Sequence, residues 1–172
     1  MGVFGFLKKN GKECNEVKAK EQPIATERTF RKERFRVLGL AYHEKNIMKL
    51  ATKNHEWEKS DSQLIDIYSE EIKKNCAPVQ VYKYKFTSKQ VKLVPDPKNQ
   101  YDKNTVDVFI AGEKIGWVQG DDGKKLANAI KNGSVKYITA FISGGEIKSI
   151  ALKDVTESSR GFYATISIGY SL

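Results

Sequence analysis

The residues best placed to do chemistry in this chain fall in one short stretch, Asp96-Pro97-Lys98-Asn99-Gln100-Tyr101-Asp102-Lys103-Asn104. Pro95 and Pro97 cannot donate to a strand ladder, so the backbone must leave any sheet there. Asn99, Asp102 and Asn104 carry short side chains that hydrogen-bond to nearby backbone, the chemistry of a tight connection. Tyr101 and Asp102 are then expected side by side at the mouth of a barrel. Two uses fit the pair. Asp102 caps the turn while Tyr101 closes the core, or the two present an aromatic face and a carboxylate to a ligand.

Catalysis needs more than this. A nuclease would gather carboxylates around a divalent cation, and Asp96, Asp102 and Asp107 are close in sequence. Asp102 and Asp107 are an odd number of residues apart, however, so on one regular strand they would face opposite sides. No Ser/His/Asp or Cys/His spacing and no phosphate-binding loop is present. Cys14 and Cys76 form no CxxC, and His43 and His55 are the only histidines, too few for a structural zinc. The expectation is a binding protein and not an enzyme, with no metal and no cofactor, its thiols free in a reducing compartment.

The balance of charge suggests the partner. Among 172 residues the formal net charge is +9, and the excess is spread along the chain rather than held in one tail. A basic domain attracts polyanions in a salt-dependent way, although the same charge also serves solubility. Tyr82, Tyr84 and Phe86 alternate with Lys83 and Lys85. This reads either as a base-stacking platform beside a phosphate track through Lys89 and Lys92 or, the favoured reading, as a barrel interior backed by a solvated face. No apolar run approaches the ~20 residues that span a bilayer. The opening Met-Gly has Phe6 where a myristoylation motif wants Ser or Thr, and the short apolar start lacks a signal-peptide pattern. A cytoplasmic protein is expected.

The elements that position these residues follow from periodicity. Residues 1–34 read as a flexible basic N-terminal arm, too polar to offset its ordering entropy. Within it Phe4, Phe6 and Leu7, followed by Lys8 and Lys9, offer an anchor for a protein partner, although a frayed terminus is the favoured reading. FRVLGLAYHE, from Phe35, is apolar on both faces and reads as a buried strand. Residues 44–78 form a helical insertion: a short helix over Lys45–Thr52, then a longer one whose capping box is Ser60 with Gln63 and whose apolar face is Leu64, Tyr68 and Ile72. Strands follow at Val79–Phe86 and Val91–Val94. A hairpin runs over Thr105–Ile110 and Lys114–Val118, and a helix over Asp121–Asn132 is stopped by Gly133. Ser134–Ile142, Ile147–Leu152 and Gly161–Gly169 read as three more strands, with a hairpin turn at Gly144-Gly145 and residues 153–172 as a C-terminal strand extension. The fold class is mostly β with helices (α+β), a small OB-like or SH3-like β-barrel decorated with two or three helices.

The segment from Val91 to Gly133 resembles the HIRAN domain family. Its string Asp96-Pro97-Lys98-Asn99-Gln100-Tyr101-Asp102-Lys103-Asn104-Thr105-Val106-Asp107-Val108, followed by Ile115-Gly116-Trp117-Val118, is similar to the family's core pattern, and FRVLGLAYHE is similar to its opening strand. The resemblance extends over about Phe35 to Leu152. It implies binding of single-stranded DNA, including free 3′-hydroxyl ends, in DNA repair, replication or mobile-element biology. By residue, it assigns base contacts to Tyr42 and Tyr101 and the hydroxyl contact to Asp102. His43, Lys103, Trp117 and Lys124 complete the candidate nucleic-acid contacts. Departures from the pattern are Ala41 where end-binding members have Arg, Trp117 where His or Tyr is usual, Gly120 where Lys would approach phosphate, and the absence of a late aromatic. Lys45 and Lys125 are further cations able to compensate. A scaffold that keeps the barrel but has lost DNA binding is the alternative these departures leave.

Overall fold

The computed structural model describes residues 31–170, so the expected anchor at Phe4, Phe6 and Leu7 lies outside the described residues. Seven strands and three helices follow in order: β1 (Arg31–Arg36), α1 (Glu44–Leu50), α2 (Asp61–Asn75), β2 (Val79–Ser88), β3 (Val91–Pro95), β4 (Val106–Ile110), β5 (Glu113–Val118), α3 (Gly120–Lys131), β6 (Val135–Ile150) and β7 (Val155–Tyr170). Two 3-10 turns, Leu40–His43 and His55–Glu58, flank α1. The α+β class with dominant strands holds. None of the helices among the described residues is long and apolar enough to cross a membrane.

The strands do not close into one barrel. They form two antiparallel sheets, β1-β7-β6-β2 and β3-β4-β5. On one side the sheets are joined by a two-bond bridge, Leu38 N to Trp117 O at 2.8 Å and Trp117 N to Leu38 O at 3.0 Å. On the other side β2 and β3 are consecutive yet unpaired. Ser88 Oγ accepts from Gln90 N, and Gln90 O is taken by Ala111 N at 2.9 Å. That turn hands the chain to β4 instead of back to β2.

The main core lies between the sheets. Phe35, Val37, Val106, Val108, Ile110, Ile115, Ile142, Ile166 and Ile168 are buried there, with Ile47 of α1 and Leu126 of α3 closing its ends. A second, smaller cluster of Leu64, Ile72, Val81 and Ile150 forms where α2 lies over β2 and β6. The α2 start is as its sequence predicts: Ser60 Oγ accepts from Gln63 N at 3.4 Å, and Gln63 Oε1 accepts from Ser60 N at 3.0 Å.

Several expectations are corrected. The opening strand is earlier and shorter than FRVLGLAYHE, because Gly39 takes a left-handed φ of 73° and winds the chain into the 3-10 turn. Arg31–Arg34 therefore belong to the sheet and not to an arm. The three C-terminal strands are two long ones, and Gly144-Gly145 sits inside β6 as a register shift rather than at a hairpin turn. A Cβ on Gly144 would lie 2.6 Å from Phe162 Cα, so close strand approach explains the glycine. The C-terminal strand β7 is central in its sheet, between β1 and β6. Tyr82, Tyr84 and Phe86 are only half-buried, since an irregularity between Tyr82 and Tyr84 breaks the alternation, and only Phe86 packs on the main core.

Candidate nucleic-acid interface

The loop after β3 is built from its own short polar side chains. Asp96 Oδ1 accepts from Lys98 N, and Asp96 Oδ2 accepts from Asn99 Nδ2, both at 3.3 Å. Asn99 Oδ1 accepts from the backbone of Tyr101 at 3.0 Å and of Asp102 at 3.3 Å. Thr105 Oγ1 donates to Asp102 O at 2.7 Å, and Asp96 N donates to Thr105 O at 2.8 Å. A loop so tied can hold an aromatic side chain out in water, and Tyr101 is 89% exposed.

Asp102 connects this loop to α3. Its Oδ1 accepts from Asn104 N at 2.8 Å and its Oδ2 from Gly120 N at 2.6 Å. The second bond satisfies a first-turn amide that the helix cannot satisfy itself. Gly120 N–H foremost, then Asn104 N–H, lowers the Asp102 pKa below the ordinary aspartate value and keeps the carboxylate ionised. Two glycines make the fit possible. Gly120 has φ 68°, and a Cβ on Gly123 would lie 2.2 Å from Asn104 O.

Opposite the loop stands an aromatic wall. The Trp117 ring lies over Gly39, where a Cβ would sit 2.0 Å from it, and its Nε1 donates to Gln119 Oε1 at 2.9 Å. Tyr42 stacks on Trp117 with centroids 6.1 Å apart and planes at 23°, an offset arrangement. Tyr42 is 83% exposed. His43 meets the edge of Trp117 at 6.2 Å. Burial first, then the Lys114 charge, lowers the His43 pKa against the weaker pull of Asp107, so its imidazole is neutral at pH 7.

Loop and wall enclose a cleft of about 550 Å³ lined by Tyr42, Asn99, Tyr101, Thr105, Asp107, Lys114, Trp117 and Gln119. Its volume lies in the range of small-ligand sites. Lys114 Nζ and Asp107 Oδ2 pair across the β4–β5 hairpin at 2.6 Å. Of the residues singled out in the sequence, Tyr42, Tyr101 and Trp117 are brought together here. Asp102, next to Tyr101, and His43, in edge contact with Trp117, adjoin the lining without being part of it. Lys103 is exposed on the loop, and Lys124 is exposed on α3 outside the lining. Lys45 is likewise exposed, and Lys125 is committed to Glu33 at 2.8 Å. Asn99, Thr105, Asp107, Lys114 and Gln119 were not foreseen as lining. The sequence signal available for Asp107 and Lys114 was the short β4–β5 hairpin, which places them within reach of each other.

Asp96, Asp102 and Asp107 do not converge. Each is committed to different partners, and no cluster of three or more metal-ligating side chains occurs among the described residues.

Among known families, the chain matches the one described as HIRAN domain over residues 34–155, well over half its length. No curated protein and no solved structure matches it.

Proposed function

This chain belongs to the HIRAN family, and from that membership together with its cleft we propose that it is a binding module for single-stranded DNA rather than an enzyme. The observation that carries this reading is the pair of almost fully exposed tyrosines, Tyr42 and Tyr101, that line one cleft together with Trp117. Exposed aromatic faces held by a braced backbone are what base stacking requires. Each stacked base contributes about 1–3 kcal/mol whatever its identity.

The reading extends to the end of the strand. Asp102 adjoins Tyr101, is ionised, and spends one lone pair of each oxygen on backbone amides, leaving the others able to accept. It would take a hydrogen bond from a free 3′-hydroxyl and repel a 3′-phosphate.

Fluorescence anisotropy with a short labelled strand ending in either group, at low and moderate salt, tests both levels. Binding that weakens with salt, prefers the hydroxyl, and falls about tenfold in Tyr101→Ala with an unchanged melting temperature is expected. Indifference to the end would remove the Asp102 contact and leave a general single-strand binder. No binding at low salt would overturn the nucleic-acid reading and leave a protein scaffold.

A further inference from the structure

The floor of the cleft carries an ion pair that strand binding alone does not explain. Asp107 lies directly opposite Trp117 in the β4–β5 register, and Lys114 follows the same hairpin turn. Their side chains meet at 2.6 Å, seven residues apart in sequence. The Asp107 side chain is only 16% exposed, and only its Oδ2 is used. Oδ1 makes no hydrogen bond among the described residues. Oδ1 retains contact with solvent, so it is open to accept a hydrogen bond from a ligand in the cleft. Lys114 has used one of its three N–H donors.

A carboxylate also repels a phosphate backbone, so this floor faces the base of a bound nucleotide and not its phosphate. The question is then which base fits two acceptor oxygens beside an ammonium. Guanine offers two adjacent donors, N1–H and the 2-amino group, at the spacing of a carboxylate, with O6 next to them for the ammonium. Adenine and cytosine offer one exocyclic donor beside a ring acceptor. Thymine offers one N–H between two carbonyls. In those three bases the second carboxylate oxygen meets a lone pair instead of a donor.

We propose that Asp107 and Lys114 make the cleft selective for guanine, with Asp107 accepting from N1–H and the 2-amino group and Lys114 donating to O6. The proposal rests on the single-strand reading above. It adds base selection to a site whose stacking residues are indifferent to base identity.

The test uses the full chain and labelled oligothymidylate decamers with a single guanine, hypoxanthine, adenine or cytosine at each of the three 3′-terminal positions. At one position guanine should bind about tenfold tighter than thymine, the discrimination of one good bidentate contact. Hypoxanthine, which lacks the 2-amino group, should lose most of that gain, a comparison that needs no variant. Asp107→Asn should bring the ratio of guanine to thymine affinity at that position to about one, the two affinities being measured on the same variant. A merely structural Asp107 would instead weaken every decamer alike. Equal affinity for guanine and thymine at all three positions, or a preference that survives Asp107→Asn, overturns base selection and leaves strand binding standing. No binding of any decamer overturns the single-strand reading itself.

Discussion

Two regions of this molecule use the same residue types to opposite ends. Beneath α2, Trp57, Tyr68 and Lys148 cluster beside the smaller core; in the cleft, Trp117, Tyr42 and Lys114 do. Beneath α2 the tyrosine hydroxyl and the lysine ammonium are both answered from within the protein. Tyr68 Oη donates to Glu56 Oε2 at 2.7 Å, and Lys148 Nζ sits 5.3 Å from the Trp57 ring centre between Asp61 at 3.5 Å and Glu157 at 3.6 Å. In the cleft the Tyr42 and Tyr101 hydroxyls and Asp107 Oδ1 have no hydrogen-bond partner among the described residues. Satisfied aromatics fasten one element to another. Unsatisfied ones, facing an open cleft, are available to a ligand.

The comparison is broken most directly through the smaller core. Leu64→Ala removes a fully buried side chain under α2 and should cost about 2–5 kcal/mol in denaturant melts, while the folded fraction binds single-stranded DNA with unchanged affinity. Loss of binding under conditions where the variant is still folded would show that the regions are coupled.

Gly39→Ala should strike the cleft alone. The position has φ 73°, and the new methyl would collide with the Trp117 ring. A penalty of about 1–2 kcal/mol from the left-handed backbone should come with a shift in tryptophan fluorescence and at least about tenfold weaker binding, because the displaced ring no longer supports Tyr42. Unaltered binding would mean that the stacked wall is not part of the interface.

The smallest effect sharpens the contrast by pH. Burial first, then the Glu56 carboxylate, raises the Tyr68 pKa from 10.0 to about 12. Between those values the folded protein holds a proton that the unfolded chain has released, so stability is fully present below pH 10 and falls as pH rises toward 12. Tyr68→Phe should cost about 1 kcal/mol at neutral pH and flatten part of this alkaline decline. Tyr170, also raised to about 12 by burial first and then by Glu33, contributes to the same decline. An identical alkaline slope in wild type and variant would show that the Tyr68–Glu56 bond does not distinguish the two states.

What the residues encode by themselves is local. The Ser60–Gln63 capping box, the apolar stripe of α2, the β4–β5 hairpin, the stop of α3 near Gly133 and the proline-bounded Asx loop all depend on partners within a few positions, and each was legible. So was the placing of Tyr101 and Asp102 on one connection. Tertiary structure alone decided the rest. It put β7 at the centre of a sheet, merged the expected C-terminal strands into two long ones, and left the barrel open between β2 and β3. It also laid Trp117 over Gly39, pinned Asp102 to the start of α3, and turned Asp107 and Lys114 into the cleft. The physical reason is range. Capping, turn chemistry and periodicity are settled between near neighbours, whereas ring-on-glycine contact and cross-sheet bridges exist only once distant segments have paired in one register.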